Sequence, residues 1–241
     1  FDASHFDEPG WNETWPSNYR DQVTQLSALW VDEGRLAGGG RSRTPAVDAA
    51  KTFAAQLKEH GVTVTGEPKK AKPKGDEVAR VESLPVHVLM ETAMNRSNNS
   101  FTEIMGLQLA AHTGHPSTFA GAVDAIEEQL KPLDLWDKGT VLHDSSGLSR
   151  LNRVTTHMLA RAVALVEDDQ RLSVILDGLP TAGVTGTLAD RFDDETARPA
   201  RGVARAKTGT LSLVSTLVGT TATADGRLLS FAFMINGTPD G

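Results

Sequence analysis

Four residues near the C-terminus combine the groups that would hold an anionic ligand. Lys207-Thr208-Gly209-Thr210 stands at the mouth of residues 211–219, which read as a buried strand. A lysine, two hydroxyls and a glycine there offer a cation, hydroxyl donors and bare backbone N–H groups. The plainer reading is a strand with a charged start, and so short a motif does not decide between the two. A second polar run, Asn95-Arg96-Ser97-Asn98-Asn99, lies between two apolar helical patterns. Ser97 and Asn99, two positions apart on a short link, suit side chains directed into one cleft; helix capping by Ser97 or Asn98 fits the same residues. Two further runs are rich in small and turn-forming residues: Asp144-Ser145-Ser146-Gly147-Leu148-Ser149-Arg150-Leu151-Asn152, and residues 183–191. Each also reads as a plain loop.

Other chemistries are poorly served. Residues 202–208 nearly spell a phosphate-binding loop, but Ala206 stands where the second glycine is required and a strand follows where a helix should. His112 and His115 are separated by Thr113-Gly114, which breaks the helix, and no HExxH is present, so no metal site is expected. The absence of cysteine excludes thiolate catalysis and disulfides, and fits either the cytosol or an exported bacterial protein. No Gly-x-Ser-x-Gly elbow occurs, and the carboxylates are too scattered to pick out a glycosidase pair. A net charge of −7 argues against a nucleic-acid partner, and the basic cluster Lys69, Lys70, Lys72 and Lys74, broken by prolines, reads as a solvated loop.

The elements that must position these runs follow from periodicity. With 39% hydrophobic and 23% charged residues over 241 positions, the chain is ordinary globular material for one large or two small domains. Residues 1–35 hold Trp11, Trp15 and Trp30 among turn formers, predicting loops and short strands around a local core. Thr44 as N-cap and Pro45 at the first position predict a helix that Gly61 stops. Residues 62–65 suit a short strand. Helices are expected over 83–94, with Pro85 in the first turn, and over 100–112, 117–130 and 155–167, with a helical turn near 171–176. Two strands, 211–221 and 227–236, are joined by Ala224-Asp225-Gly226, a hairpin signal. Apolar residues on both faces of the last strand predict a sheet covered on each side.

Ser97-Asn98-Asn99 and Lys207-Thr208-Gly209, in this order and separated by helices, resemble the second and third motifs of the penicillin-recognising serine enzymes. The 144–152 and 183–191 loops, with Lys207-Thr208-Gly209-Thr210-Leu211-Ser212, narrow the likeness. They are similar to the D-alanyl-D-alanine carboxypeptidases of the penicillin-binding protein 4 type, peptidase family S13, whose large domains are inserted between the first and second motifs. Phe1-Asp2-Ala3-Ser4-His5-Phe6 with Trp11, and Ser27-Ala28-Leu29 before Asp32-Glu33-Gly34-Arg35, resemble that inserted region.

The resemblance implies an α/β (α+β) chain with the penicillin-recognising transpeptidase/β-lactamase-like fold, an antiparallel sheet flanked by helices. Residues 1–75 would belong to the inserted accessory part and residues 76–241 to the transpeptidase-like domain. It implies a serine D-Ala-D-Ala carboxypeptidase, leaves open whether DD-endopeptidase activity accompanies it, and calls for no cofactor or metal. Peptidoglycan peptides ending in D-Ala-D-Ala and β-lactams would be its ligands, at an extracytoplasmic location. Ser97, Asn99 and Lys207 would be catalytic; Thr208, Gly209 and Thr210 would bind substrate, with the Thr210 N–H in the oxyanion hole. A β-lactamase or esterase on the same fold, or a cell-wall binding protein without a nucleophile, are the alternatives. The family's first motif, Ser-x-x-Lys, is missing: Ser17 is followed three places on by Arg20, Ser97 by Ser100, and no other serine has a lysine there. Both ends, Phe1 and Gly237-Thr238-Pro239-Asp240-Gly241, look cut, so the nucleophile is expected on an N-terminal segment, in the same protein or as a separate chain. Ser145 stands where the family usually has glycine, which bears on the conformation of its loop.

Overall fold

In the computed structural model, residues 1–7, 9–167 and 169–237 are described; Thr238 to Gly241, at the C-terminal end noted above, lie outside them. Two compact units share the chain. One comprises Phe1–Glu82, Asn99–Gln129 and Leu142–Asn152, the other Ser83–Asn98, Leu130–Val141 and Arg153–Gly241.

In the first unit, helix α1 (Pro45–Glu59) begins at proline as expected, but Thr44 makes no side-chain cap. Ser42 ties the preceding turn to the helix instead, its Oγ accepting from Thr44 N at 2.9 Å and donating to Asp48. Helices α3 (Asn99–Thr113) and α4 (Phe119–Leu130) meet through Ala110, Ala122 and Ala125, whose small side chains allow close approach. The tryptophan-rich N-terminus forms local core: Trp15 is buried and lies edge-on to Trp11 and Phe119. The strand expected over residues 62–65 is absent, because no neighbouring strand among the described residues supplies its hydrogen bonds. The lysine loop that follows is almost wholly exposed.

The second unit contains α2 (Val86–Arg96), α5 (Thr156–Ala164), α6 (Ser173–Gly178) and an antiparallel sheet in the order β1 (Arg205–Leu211), β2 (Val214–Ala222), β3 (Leu228–Asn236). Helix α2 packs on α6, and α5 on β2 and β3. Two expectations are corrected here. The first strand does not start at 211: Lys207-Thr208-Gly209-Thr210 itself forms β1, and the chain turns back at Ser212-Leu213 with Leu213 at φ 66°. A leucine in left-handed backbone carries no turn signal, so the hairpin was unreadable. Nor are both faces of the last strand covered: Leu229, Phe233 and Ile235 remain 45%, 60% and 54% exposed. Apolar alternation states what a face favours, not whether these residues supply its cover.

Candidate active site

Helix α2 ends in a Schellman arrangement: Ser97 N–H reaches Met94 O at 3.2 Å and Asn98 N–H reaches Ala93 O at 2.9 Å. Such an ending needs a left-handed residue, usually glycine, and Ser97 fills it at φ 54°, ψ 51°. A non-glycine there costs on the order of 1–2 kcal/mol. The strain holds the Ser97 hydroxyl just beyond the helix end.

Strand β1 brings the cation to it. Lys207 Nζ donates to Ser97 Oγ at 2.7 Å and to Thr208 O at 2.7 Å. The ammonium is largely withdrawn from water, and this burial lowers its pKa to about 8. Backbone parity sets what the rest of the strand presents. Ala204 O and Ala206 N bond Ala182 N and Pro180 O, away from β2. By alternation Thr208 and Thr210 direct their N–H and C=O groups to the same edge, beyond the end of that pairing. Gly209 pairs with Thr216, whose Oγ1 lies 2.3 Å from where a Cβ on Gly209 would sit, so a side chain there would force the Thr216 hydroxyl to turn away. Thr208 Oγ1 lies 2.9 Å from Thr187 Oγ1.

Of the residues singled out from sequence, Ser97, Lys207 and Thr208 are therefore brought together, with Thr210 continuing the same edge and Gly209 between them paired to β2. Asn99, the first residue of α3, belongs to the first unit, where its Nδ2 reaches Gln22 O at 3.5 Å.

The family model described as D-Ala-D-Ala carboxypeptidase 3 (S13) matches residues 2–241. The chain belongs to that family. Among S13-like relatives, a carboxypeptidase of Mycobacterium tuberculosis is 36% identical over 98% of this chain and 52% of its own length. The crystal structure of penicillin binding protein 4 (dacB) from Haemophilus influenzae superposes with a TM-score of 0.74 at 26% identity, covering 84% of this chain and 45% of that one. The same protein complexed with a novel β-lactam gives 0.70 at 27% identity, over 80% and 45%. This S13 chain spans about half the length of the curated relatives it matches. Its fold is that of the penicillin-recognising peptidases, as the paired motifs imply.

Two features of this S13 chain escaped the sequence. Thr187 sat inside a loop noted only as small and turn-forming. In the first unit, Asp144 gathers donors from Gly147 N, Ser149 N, Trp15 Nε1 and Asn152 Nδ2 at 2.5–3.0 Å. Beside it the buried Glu103 accepts from Ser145 N at 3.0 Å and Ser146 N at 2.8 Å. Burial first, and the Asp144 charge second, raise the Glu103 pKa to about 8. The Asp144 to Gly147 spacing carried a readable signal, an aspartate capping its own turn. Glu103 carried none.

Proposed function

We propose that this chain supplies the proton-relay and carboxylate-binding side of a serine-type D-Ala-D-Ala carboxypeptidase that acts on peptidoglycan stem peptides and is acylated by β-lactams. The bond from Lys207 Nζ to Ser97 Oγ carries the reading, since it joins two motif residues 110 positions apart. Family membership and the carboxypeptidase names of the mycobacterial relatives support the reaction class. The β-lactam complex of the Haemophilus influenzae protein supports the ligand class.

In this mechanism the serine of a Ser-x-x-Lys motif attacks the carbonyl between two D-alanines and gives its proton to that motif's lysine. The C–N bond breaks as Ser97 passes its proton to the departing amine and takes the one held by that lysine in its place, and water then hydrolyses the ester. Lys207 holds positive potential next to Ser97, and the Thr208 and Thr210 hydroxyls take the terminal carboxylate. The Thr210 N–H, on the open strand edge, forms half of the oxyanion hole, the nucleophile's own N–H the other half. Asn99 keeps the substrate-amide role that its motif position implies. A DD-endopeptidase activity uses the same steps. The serine belongs to sequence outside these 241 residues, and the comparisons lend no support to a separate chain. The compact units interleave along the chain; the division into an accessory part, residues 1–75, and a transpeptidase-like part, residues 76–241, follows the family's domain insertion instead. No described helix is long and apolar enough to cross a membrane; a peptidoglycan substrate supports an extracytoplasmic location.

A fluorescent penicillin followed by intact mass spectrometry tests the reading. The protein joining this chain to its Ser-x-x-Lys segment should gain one stable adduct, and residues 1–241 alone none. Labelling of the 241-residue chain alone, or rapid turnover of penicillin by the longer protein, would overturn it. Acylation also has an expected pH profile. As pH rises through about 8, Lys207 loses its proton and the attraction for a carboxylate goes with it. The second-order acylation constant should therefore decline with an alkaline limb near 8, well before the ordinary lysine range of about 10.4. A flat profile to pH 10 would remove Lys207 from the role.

A further inference from the structure

We infer that Thr187 is a positioning residue that orients the Thr208 hydroxyl toward the ligand, and so sets affinity for substrates ending in a free carboxylate. This rests on the acyl-transfer reading above.

The two hydroxyl oxygens are 2.9 Å apart. Each hydroxyl has a single proton, so one threonine donates and the other keeps its proton free. If Thr208 donates to Thr187, it has nothing to offer an anion. If Thr187 donates to Thr208, the Thr208 proton is released toward the strand edge. An anion there selects the second arrangement and completes a chain running from Thr187 through Thr208 to the carboxylate, in which each bond polarises the next.

Such a chain works only if its first member is fixed. Thr187 is itself exposed, but it occupies a single helical turn, Gly186–Leu188, whose Leu188 is fully buried. Thr185 Oγ1 accepts from Thr181 N at 2.9 Å, Gly183 N donates to Leu188 O at 2.9 Å, and Ala189 N to Gly186 O at 3.2 Å. Gly186, at φ +54°, lies so close to the end of α2 that a Cβ would come within 2.4 Å of Asn95 O. The turn is thus pinned both to the helix that ends at Ser97 and, through Pro180 and Ala182, to β1. No role in the acyl-transfer steps requires the Thr187 hydroxyl, and its partner is the residue assigned to the carboxylate.

The test compares the enzyme with Thr187→Val and Thr187→Ser, each checked for an unchanged melting temperature. The substrates are an activated thioester whose leaving group ends in a carboxylate and the same thioester with that carboxylate methylated. Thr187→Val should raise KM for the acid roughly three- to tenfold, the scale of one neutral hydrogen bond, with a smaller change in kcat. The methylated substrate should not discriminate between the enzymes, and Thr187→Ser should restore the acid's KM. Equal losses on both substrates, or no loss with Val, would overturn the inference while penicillin still acylates the protein. Failure of the unsubstituted protein to be acylated at all would overturn the underlying reading and this inference together.

Discussion

Replacing Lys207 with alanine should slow β-lactam acylation about 100- to 1,000-fold, the usual cost of losing a charge-stabilising donor at the reacting centre. The experiment is stopped-flow acylation by a fluorescent penicillin, in a protein that carries this chain together with the Ser-x-x-Lys segment proposed above. The loss is large because the ammonium serves three partners. It donates to Ser97 Oγ, it donates to the otherwise outward-facing Thr208 carbonyl, and in the proposed mechanism it supplies the positive charge that draws the ligand's carboxylate. Alanine leaves the Ser97 proton without a fixed direction. Lys207→Arg should not rescue, since a planar guanidinium cannot replace a compact ammonium between two oxygens each 2.7 Å away. Removing a partly buried cation also relieves its desolvation. A variant that melts no lower while acylating slowly would separate chemistry from folding; acylation within threefold of the parent would refute the role.

Asp144→Ala should be strongly destabilising in the first unit, costing about 4 kcal/mol, because four donors lose their acceptor at once, two of them in the buried residues Trp15 and Ser149. Two of these are the backbone N–H groups of Gly147 and Ser149, one is the Trp15 indole, and the last is the Asn152 amide. In a chain this size the loss corresponds to a melting point lowered by roughly 10 °C. A drop of under 3 °C by calorimetry would show that the loop does not depend on this carboxylate. Glu103 gives the complementary measurement. Its folded pKa is raised from 4.5 to about 8, so across that window the native state binds the proton that the unfolded state has released. Stability therefore falls as pH rises from about 4.5 to 8, and the full penalty remains above it. Glu103→Gln keeps an oxygen for the Ser145 and Ser146 N–H groups and removes the titration. Its melting curve should fall less steeply between pH 5 and 9 than the parent's.

How much of this was legible depended on whether chemistry or context decided each point. The Ser97 and Lys207 motifs were readable because residue types and order alone mark them, and the structure joins them by one hydrogen bond. Helix existence was readable from period, while helix starts moved by a few residues, as with Val86 following Pro85 rather than a start at 83. The β1 to β2 hairpin was hidden by Leu213, a side chain with no affinity for turns. Glu103 was hidden differently: on a helical pattern it reads as a solvent position, and only its contacts with the 145–146 backbone show it to be 1% exposed. The face of β3 was misjudged because alternation describes a strand, whereas coverage depends on what packs against it.

Ser97 places stability and chemistry in competition for one side chain. Its left-handed backbone is the natural seat of glycine, and any selection for a more robust fold would favour that exchange. Glycine would relax the helix end and abolish the hydroxyl in the same step. A protein improved only for endurance would drift toward silence at this position, so its residual fragility is the signature of retained activity.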